Sequence, residues 1–124
     1  MDSRIIKIKI FGEAEEQYNK FHATVLEEQN RGLTNSFSLQ LKKAIDREIE
    51  NLRVDPQKGI HIPKRNISKK LFEKYRANNF WKIDLPHGWR MVYTITGNRA
   101  EIIIFILAIV DHNEYNKMFG YRKN

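Results

Sequence analysis

Residues 79–115 read NFWKIDLPHGWRMVYTITGNRAEIIIFILAIVDHNEY, and this stretch decides the fold. Over 80–85, Trp81, Ile83 and Leu85 alternate with Lys82 and Asp84, the two-residue period of a half-buried strand. Pro86-His87-Gly88 supplies turn chemistry. A second strand is expected over 89–96, with Trp89, Met91, Tyr93 and Ile95 on one face and Arg90, Val92 and Thr94 on the other. Gly97-Asn98 is a further short turn. The run 101–110 is nearly all Ile, Leu, Phe and Val, as in a strand covered on both faces, so it belongs inside the sheet. The three strands form an antiparallel meander. It places Lys82 and Arg90 on polar positions of neighbouring strands and delivers His112 to one end of the sheet. A cation pair beside a titratable imidazole suits phosphate chemistry.

Working outward, residues 4–11 alternate Ile and Lys and read as a first strand with one wet face, ended by Gly12. A helix over 13–29 carries the stripe Ala14, Tyr18, Phe21 and Val25, with glutamates in its first turn opposite the helix dipole. A second helix over 36–53 carries Phe37, Leu41, Ala44, Ile45, Ile49 and Leu52, and Asp55-Pro56 marks its end. Residues 57–66 read as an extended loop, and 68–75 as two helical turns with Leu71, Phe72 and Tyr75 inward. Asp111 and Glu114 have capping-box spacing before a short helix through Phe119, stopped by Gly120. The order is β-α-α-(short α)-β-β-β-α, an α+β fold with two N-terminal helices on one face of an antiparallel meander sheet. The opposite face is then expected to be polar, basic and uncovered by helices.

A chain of 124 residues suits one domain, here 1–124, with a single core. There is no cysteine, so no disulfide and no thiolate metal site. The four histidines lack ligand spacing, and neither metal nor cofactor is expected. The longest apolar run, 102–110, is about half of the roughly 20 residues a membrane span needs, and the N-terminus has no signal-peptide core. A soluble cytoplasmic protein is expected. The net charge is +7, and ten basic residues against Glu73 and Asp84 fall between Lys58 and Arg99. That concentration suits a polyanion or an acidic peptide, or else a solvated surface. Lys58, Lys64, Arg65, Lys69, Lys70, Lys74 and Arg76 are the candidates for contact with an RNA backbone, which would be salt-sensitive.

The element order, and above all F-W-K-I-D-L-P-H-G-W-R-M-V-Y-T-I at 80–95, resembles the RelE/ParE superfamily of toxins from type II toxin–antitoxin systems. The pattern is an aromatic, a basic residue and an aliphatic, then a turn, then Gly-aromatic-Arg-aliphatic-aliphatic-Tyr. The resemblance implies a toxin, often linked to plasmid stabilisation, held inactive by a small antitoxin with an acidic segment. Many members inhibit translation by cutting mRNA on the ribosome without a metal; others bind DNA gyrase. The resemblance places Arg90 on the phosphate-contacting arginine of the middle strand and Lys82 on a basic residue used in cleavage. It places His112 at the strand end that carries an arginine or histidine. Asp84 departs from the pattern, since some nucleases have a basic residue there. Tyr115 follows His112 by three residues, unlike the common His-Arg-x-x-x-Tyr spacing.

Metal-free RNA cleavage needs a base for the 2′-hydroxyl, cations for the phosphorane and an acid for the leaving 5′-oxygen. The catalytic candidates are Lys82, Arg90, His112 and Tyr115. Each has a structural alternative: Arg90 an ion pair with Asp84 across the hairpin, His112 an idle place in the first helical turn, Tyr115 a core position. Tyr121 is a further aromatic for stacking or proton donation. Trp81 and Trp89 are expected to face the helices. Three functions follow: a ribosome-dependent mRNA endoribonuclease, a non-catalytic gyrase inhibitor, or an inactive binding protein of the same fold. A homodimer is compatible with each.

Overall fold

The Ile–Lys alternation near the N-terminus makes β1 (Ile5–Ile10), and Gly12 lets α1 (Gly12–Asn30) begin at once. The computed structural model describes residues 3–120. Helix α2 (Phe37–Val54) starts where the Ser36 hydroxyl accepts the Leu39 N–H at 3.1 Å, closing one of the open donors of the first turn. A two-residue strand β2 (Ile60–His61), a 3-10 turn at Lys64–Asn66 and α3 (Lys69–Tyr75) follow. Then come β3 (Trp81–Asp84), β4 (Arg90–Gly97), β5 (Glu101–Val110) and α4 (His112–Phe119). The Asp111 carboxylate caps α4 by accepting the Glu114 N–H at 2.9 Å, and Gly120 ends it in the left-handed region.

The sheet order is β1-β5-β4-β3-β2. The meander β3-β4-β5 is antiparallel as expected, and the apolar β5 is interior. The sheet as a whole is mixed, because β1 lies parallel to β5, Ile5 beside Glu101 through Ile10 beside Ile106. The two-residue β2 on the far edge was read from sequence as loop; it is too short to show a period.

Between β4 and β5 the register slips. Val92 faces Ala108, yet Tyr93 faces Ile106, so Leu107 is an extra residue on β5. The bulge reverses the parity of β5. Ile102, Ile104 and Ile106 point at the α1–α2 layer, and beyond the bulge so does Ile109. They meet Phe21, Leu41, Ile45 and Leu52 from the helices and Ile83, Leu85, Met91 and Tyr93 from the sheet. Trp81 and Trp89 pack against this core as expected, Trp89 edge-on to Phe21 at 5.1 Å. Phe37, expected in the same stripe, is 46% exposed at the start of α2.

The opposite face is not the open basic surface that the pattern suggested. Ile62, Ile67, Leu71, Tyr75, Phe80, Tyr115 and Phe119 close over Val92, Leu107 and Ala108 there as a second core. The reason is area: these residues would leave a large apolar patch wet unless α3 and α4 covered the sheet. What stays open is the β1 side, where Lys7 and Lys9 are exposed, and one corner where β3, β4 and α4 meet.

Tyr93 joins the first core to the loop before β2. Its buried hydroxyl donates to Pro56 O at 2.9 Å and accepts the Gly59 N–H at 3.0 Å. A Cβ at Gly59 would stand 2.6 Å from that hydroxyl and 2.7 Å from Lys82 O, so only glycine fits. Burial pushes the phenol up to about 12; the Gly59 N–H opposes this, and Asp55 and Glu48 add to it. The unfolded group titrates near 10, so this contribution to stability is complete below pH 10 and fades as pH rises toward 12. Two units correspond to roughly 2–3 kcal/mol. Denaturant titrations between pH 9 and 12 are therefore expected to show falling stability, with a shallower fall in Tyr93→Phe. Tyr18 and Tyr75, both raised by burial first, act in the same direction, so the variant's stability still falls with pH.

Candidate functional site

The β3–β4 hairpin sets Asp84 directly opposite Arg90 and places Lys82 two residues from Asp84 on the same face. One carboxylate oxygen, Asp84 Oδ1, lies 2.7 Å from Lys82 Nζ and 2.8 Å from Arg90 Nε. Both cationic side chains are only 17% exposed, and the carboxylate is 56% exposed. Arg90 is also held from behind, since its Nη1 donates to Gly88 O and Trp89 O. The Tyr115 ring, 3% exposed, forms the floor. Arg90 lies over it at 5.5 Å and Lys82 at 5.8 Å, so both cations face the negative side of one aromatic quadrupole.

The turn brings His112 to this corner. His87 and Gly88 both take the left-handed conformation, φ +61 and +78, and a Cβ at Gly88 would lie 3.6 Å from His112 Cβ. The Arg90 Nη2 faces His112 Nδ1 at 3.4 Å, and Asn116 Nδ2 stands 3.1 Å from His112 Nε2. A guanidinium only donates, so this contact uses Nδ1 as an acceptor.

Lys82, Arg90, His112 and Tyr115 thus meet at one corner. The basic residues of 58–76 do not gather there as a set. Lys58 is ion-paired with Glu48 on α2. Burial would raise the Glu48 carboxyl, but hydrogen bonds from Lys58 and Asn51 outweigh it and hold the group below its ordinary value. Lys64 and Arg65 lie in the 3-10 turn whose Asn66 donates to Phe119 O, at the far end of α4 from His112. Lys69 faces Glu73 on α3, with Lys70 exposed beside it. Lys74 pairs with Glu13 at 2.7 Å, and Arg76 ends α3 with φ +50. His61 packs on Trp81 at 4.9 Å, and His87 contacts Gln40 and Phe37 on α2. Tyr121 lies outside the described residues.

Asp84 and Asn116 are the site residues that sequence reasoning did not assign. Asp84 was visible as an ion-pair alternative for Arg90 and as a departure from the family pattern. Asn116 follows His112 by four, one helical turn, which was a usable signal. Among the described residues no group of three or more His, Asp or Glu could hold a metal ion. A groove of about 460 Å3 lies elsewhere on this face, lined by Phe11, Phe72, Tyr75, Arg76, Thr96 and Phe105 among others, and none of the corner residues lines it. No described helix is long and apolar enough to cross a membrane.

The family model described as ParE toxin of type II toxin-antitoxin system, parDE, matches residues 10–115. No curated protein matches the sequence. A solved structure titled "YoeB/ParE toxin from Agrobacterium tumefaciens" is similar with a TM-score of 0.55. It aligns over 86% of this chain and 98% of that one at 14% identity, a likeness of fold alone.

Proposed function

The chain belongs to the ParE toxin family of type II toxin–antitoxin systems, and from that premise we propose that it cuts mRNA on the ribosome without a metal. ParE toxins pair with a ParD antitoxin. The observation that carries the proposal is that Lys82 and Arg90 lie together over the Tyr115 ring with His112 beside Arg90. In this reading Arg90 and Lys82 hold the scissile phosphate and the charge that grows on it. His112 moves one proton, from the 2′-hydroxyl or to the 5′-oxygen, with water carrying the other, and Tyr115 keeps both cations aimed by stacking beneath them. The 2′-oxygen forms a bond to phosphorus as the 5′-oxygen leaves, giving a cyclic phosphate and a 5′-hydroxyl. The exposed Lys64, Arg65, Lys69 and Lys70 supply contacts to the RNA backbone beyond the corner.

The antitoxin's acidic, apolar segment takes the separate groove. Its walls are Phe11, Phe72, Tyr75 and Phe105, Arg76 lies at its edge, and Lys9 Nζ stands 6.0 Å from the Phe105 ring. Apolar anchors with acidic flanks would match both.

A second reading, a toxin that binds gyrase and cuts nothing, is favoured by one observation. Asp84 already neutralises part of the cation pair. A translation extract programmed with a defined message tests the two together with a supercoiling assay. Cuts within codons that require ribosomes support the nuclease. Intact message with inhibited supercoiling selects the second reading.

A further inference from the structure

Asp84 is oddly placed for a phosphate-binding corner, and its geometry gives it a role of its own. A single oxygen contacts both Lys82 Nζ and Arg90 Nε, at 2.7 and 2.8 Å, where a phosphate oxygen would have to sit to be held by the same two groups. The cations do not depend on Asp84 for their position. Arg90 is fixed by Gly88 O and Trp89 O, and both cations rest on the buried Tyr115 ring. The carboxylate, by contrast, is more than half exposed and can turn into solvent, whereas Lys82 and Arg90 are largely enclosed. A pair this exposed on the acid side holds weakly and opens readily.

We propose that Asp84 is a built-in competitor for the substrate phosphate. It occupies the Lys82–Arg90 anion site in the free protein, swings out when a polyanion enters, and so sets how tightly the corner binds RNA. The inference rests on the reading of Lys82 and Arg90 as a phosphate site. A lone phosphate must displace Asp84 and then share the corner with its charge. A nucleic acid held by further contacts along Lys64, Arg65, Lys69 and Lys70 has the extra attraction to do so. Asp84 therefore lowers the corner's affinity for every anion by a common factor, and a strand with those further contacts still binds in spite of it.

The test uses the full chain and a short single-stranded RNA with 2′-O-methyl sugars, which binds but cannot be cut by attack of a 2′-hydroxyl. Asp84→Asn keeps the size and an acceptor oxygen for Lys82 but removes the charge. It is expected to bind this RNA roughly fivefold more tightly at low salt, the scale of one unit charge removed at about 4 Å in a wet site. Its log K against log salt is expected to steepen by about 0.7, one additional phosphate contact on a single strand. Asp84→Ser, which has neither charge nor reach, is expected to behave alike. Lys82→Gln and Arg90→Gln are measured beside them, and each is expected to weaken binding. If both Asp84 variants bind as the unaltered protein does, or more weakly, the competitor role is overturned. If the Lys82 and Arg90 variants weaken binding in that same experiment, the phosphate site itself survives. If none of the four changes RNA binding, the site and the competitor fall together. A thermal melt of each variant separates these outcomes from unfolding, and an unfolded Asp84→Asn with an unfolded Asp84→Ser overturns the proposal in favour of a structural ion pair.

Discussion

Phe80→Ala is expected to remove about 3–5 kcal/mol of folding free energy, a large share of the roughly 5–15 kcal/mol reserve of an ordinary small domain. Phe80 is fully buried at the centre of the second core. Its ring meets Phe72 and Tyr75 of α3 and Phe119 of α4 edge-on, at 6.1, 6.3 and 6.1 Å. No single neighbour can move in to fill the space, because the three come from two separate helices that meet through this ring. The loss should therefore be larger than for an exposed aromatic such as Phe37. Urea titration of the two alanine variants checks this. Hydrogen exchange should show α4 opening first in Phe80→Ala, since α4 is short and is held to the sheet through Tyr115 and Phe119. If Phe80→Ala costs no more than Phe37→Ala, the second core is not the structural element described here.

The second large effect is on activity. Arg90→Ala is expected to lower ribosome-dependent mRNA cleavage about 100- to 1,000-fold, the usual consequence of removing one group that stabilises transition-state charge. Stability should change far less, because the Asp84 carboxylate left behind is more than half exposed and water can take over its hydrogen bonds. Arg90→Lys keeps the charge but not the fork that reaches Gly88 O, Trp89 O and Asp84 at once. It is expected to recover only a small part of the rate. Cleavage of a defined message in a translation extract, measured beside a thermal melt, tests both. Full cleavage by a folded Arg90→Ala protein would remove the corner from the reaction.

Several elements were plain in the sequence because their signals are local. The alternation in 80–85 and 89–96, the unbroken apolar run 101–110, and the two helical stripes each lie within a few turns of chain. So does the Asp111–Glu114 pair before α4, where the Asp111 cap forms as its spacing implies. The meeting of Lys82, Arg90 and His112 was also legible, since it follows from two tight turns and the direction of three strands.

The rest was decided by contacts between distant parts of the chain. That β1 joins β5 in parallel depends on the path of two helices, which no local period records. The bulge at Leu107 cannot be read from a segment where every residue is apolar, because either parity buries the same kind of side chain. The second core was misjudged for a similar reason. Arg90 and Thr94 made one face of β4 look wet, while the apolar groups that cover it come from α3 and α4, on either side of the meander in the chain. Sequence alone thus marked the helices, every described strand but β2, and the basic residues of the candidate corner. Only the tertiary structure decided which sheet face is open, and that a single Asp84 oxygen stands between the two cations, because burial and charge pairing depend on neighbours that the chain brings in from far away.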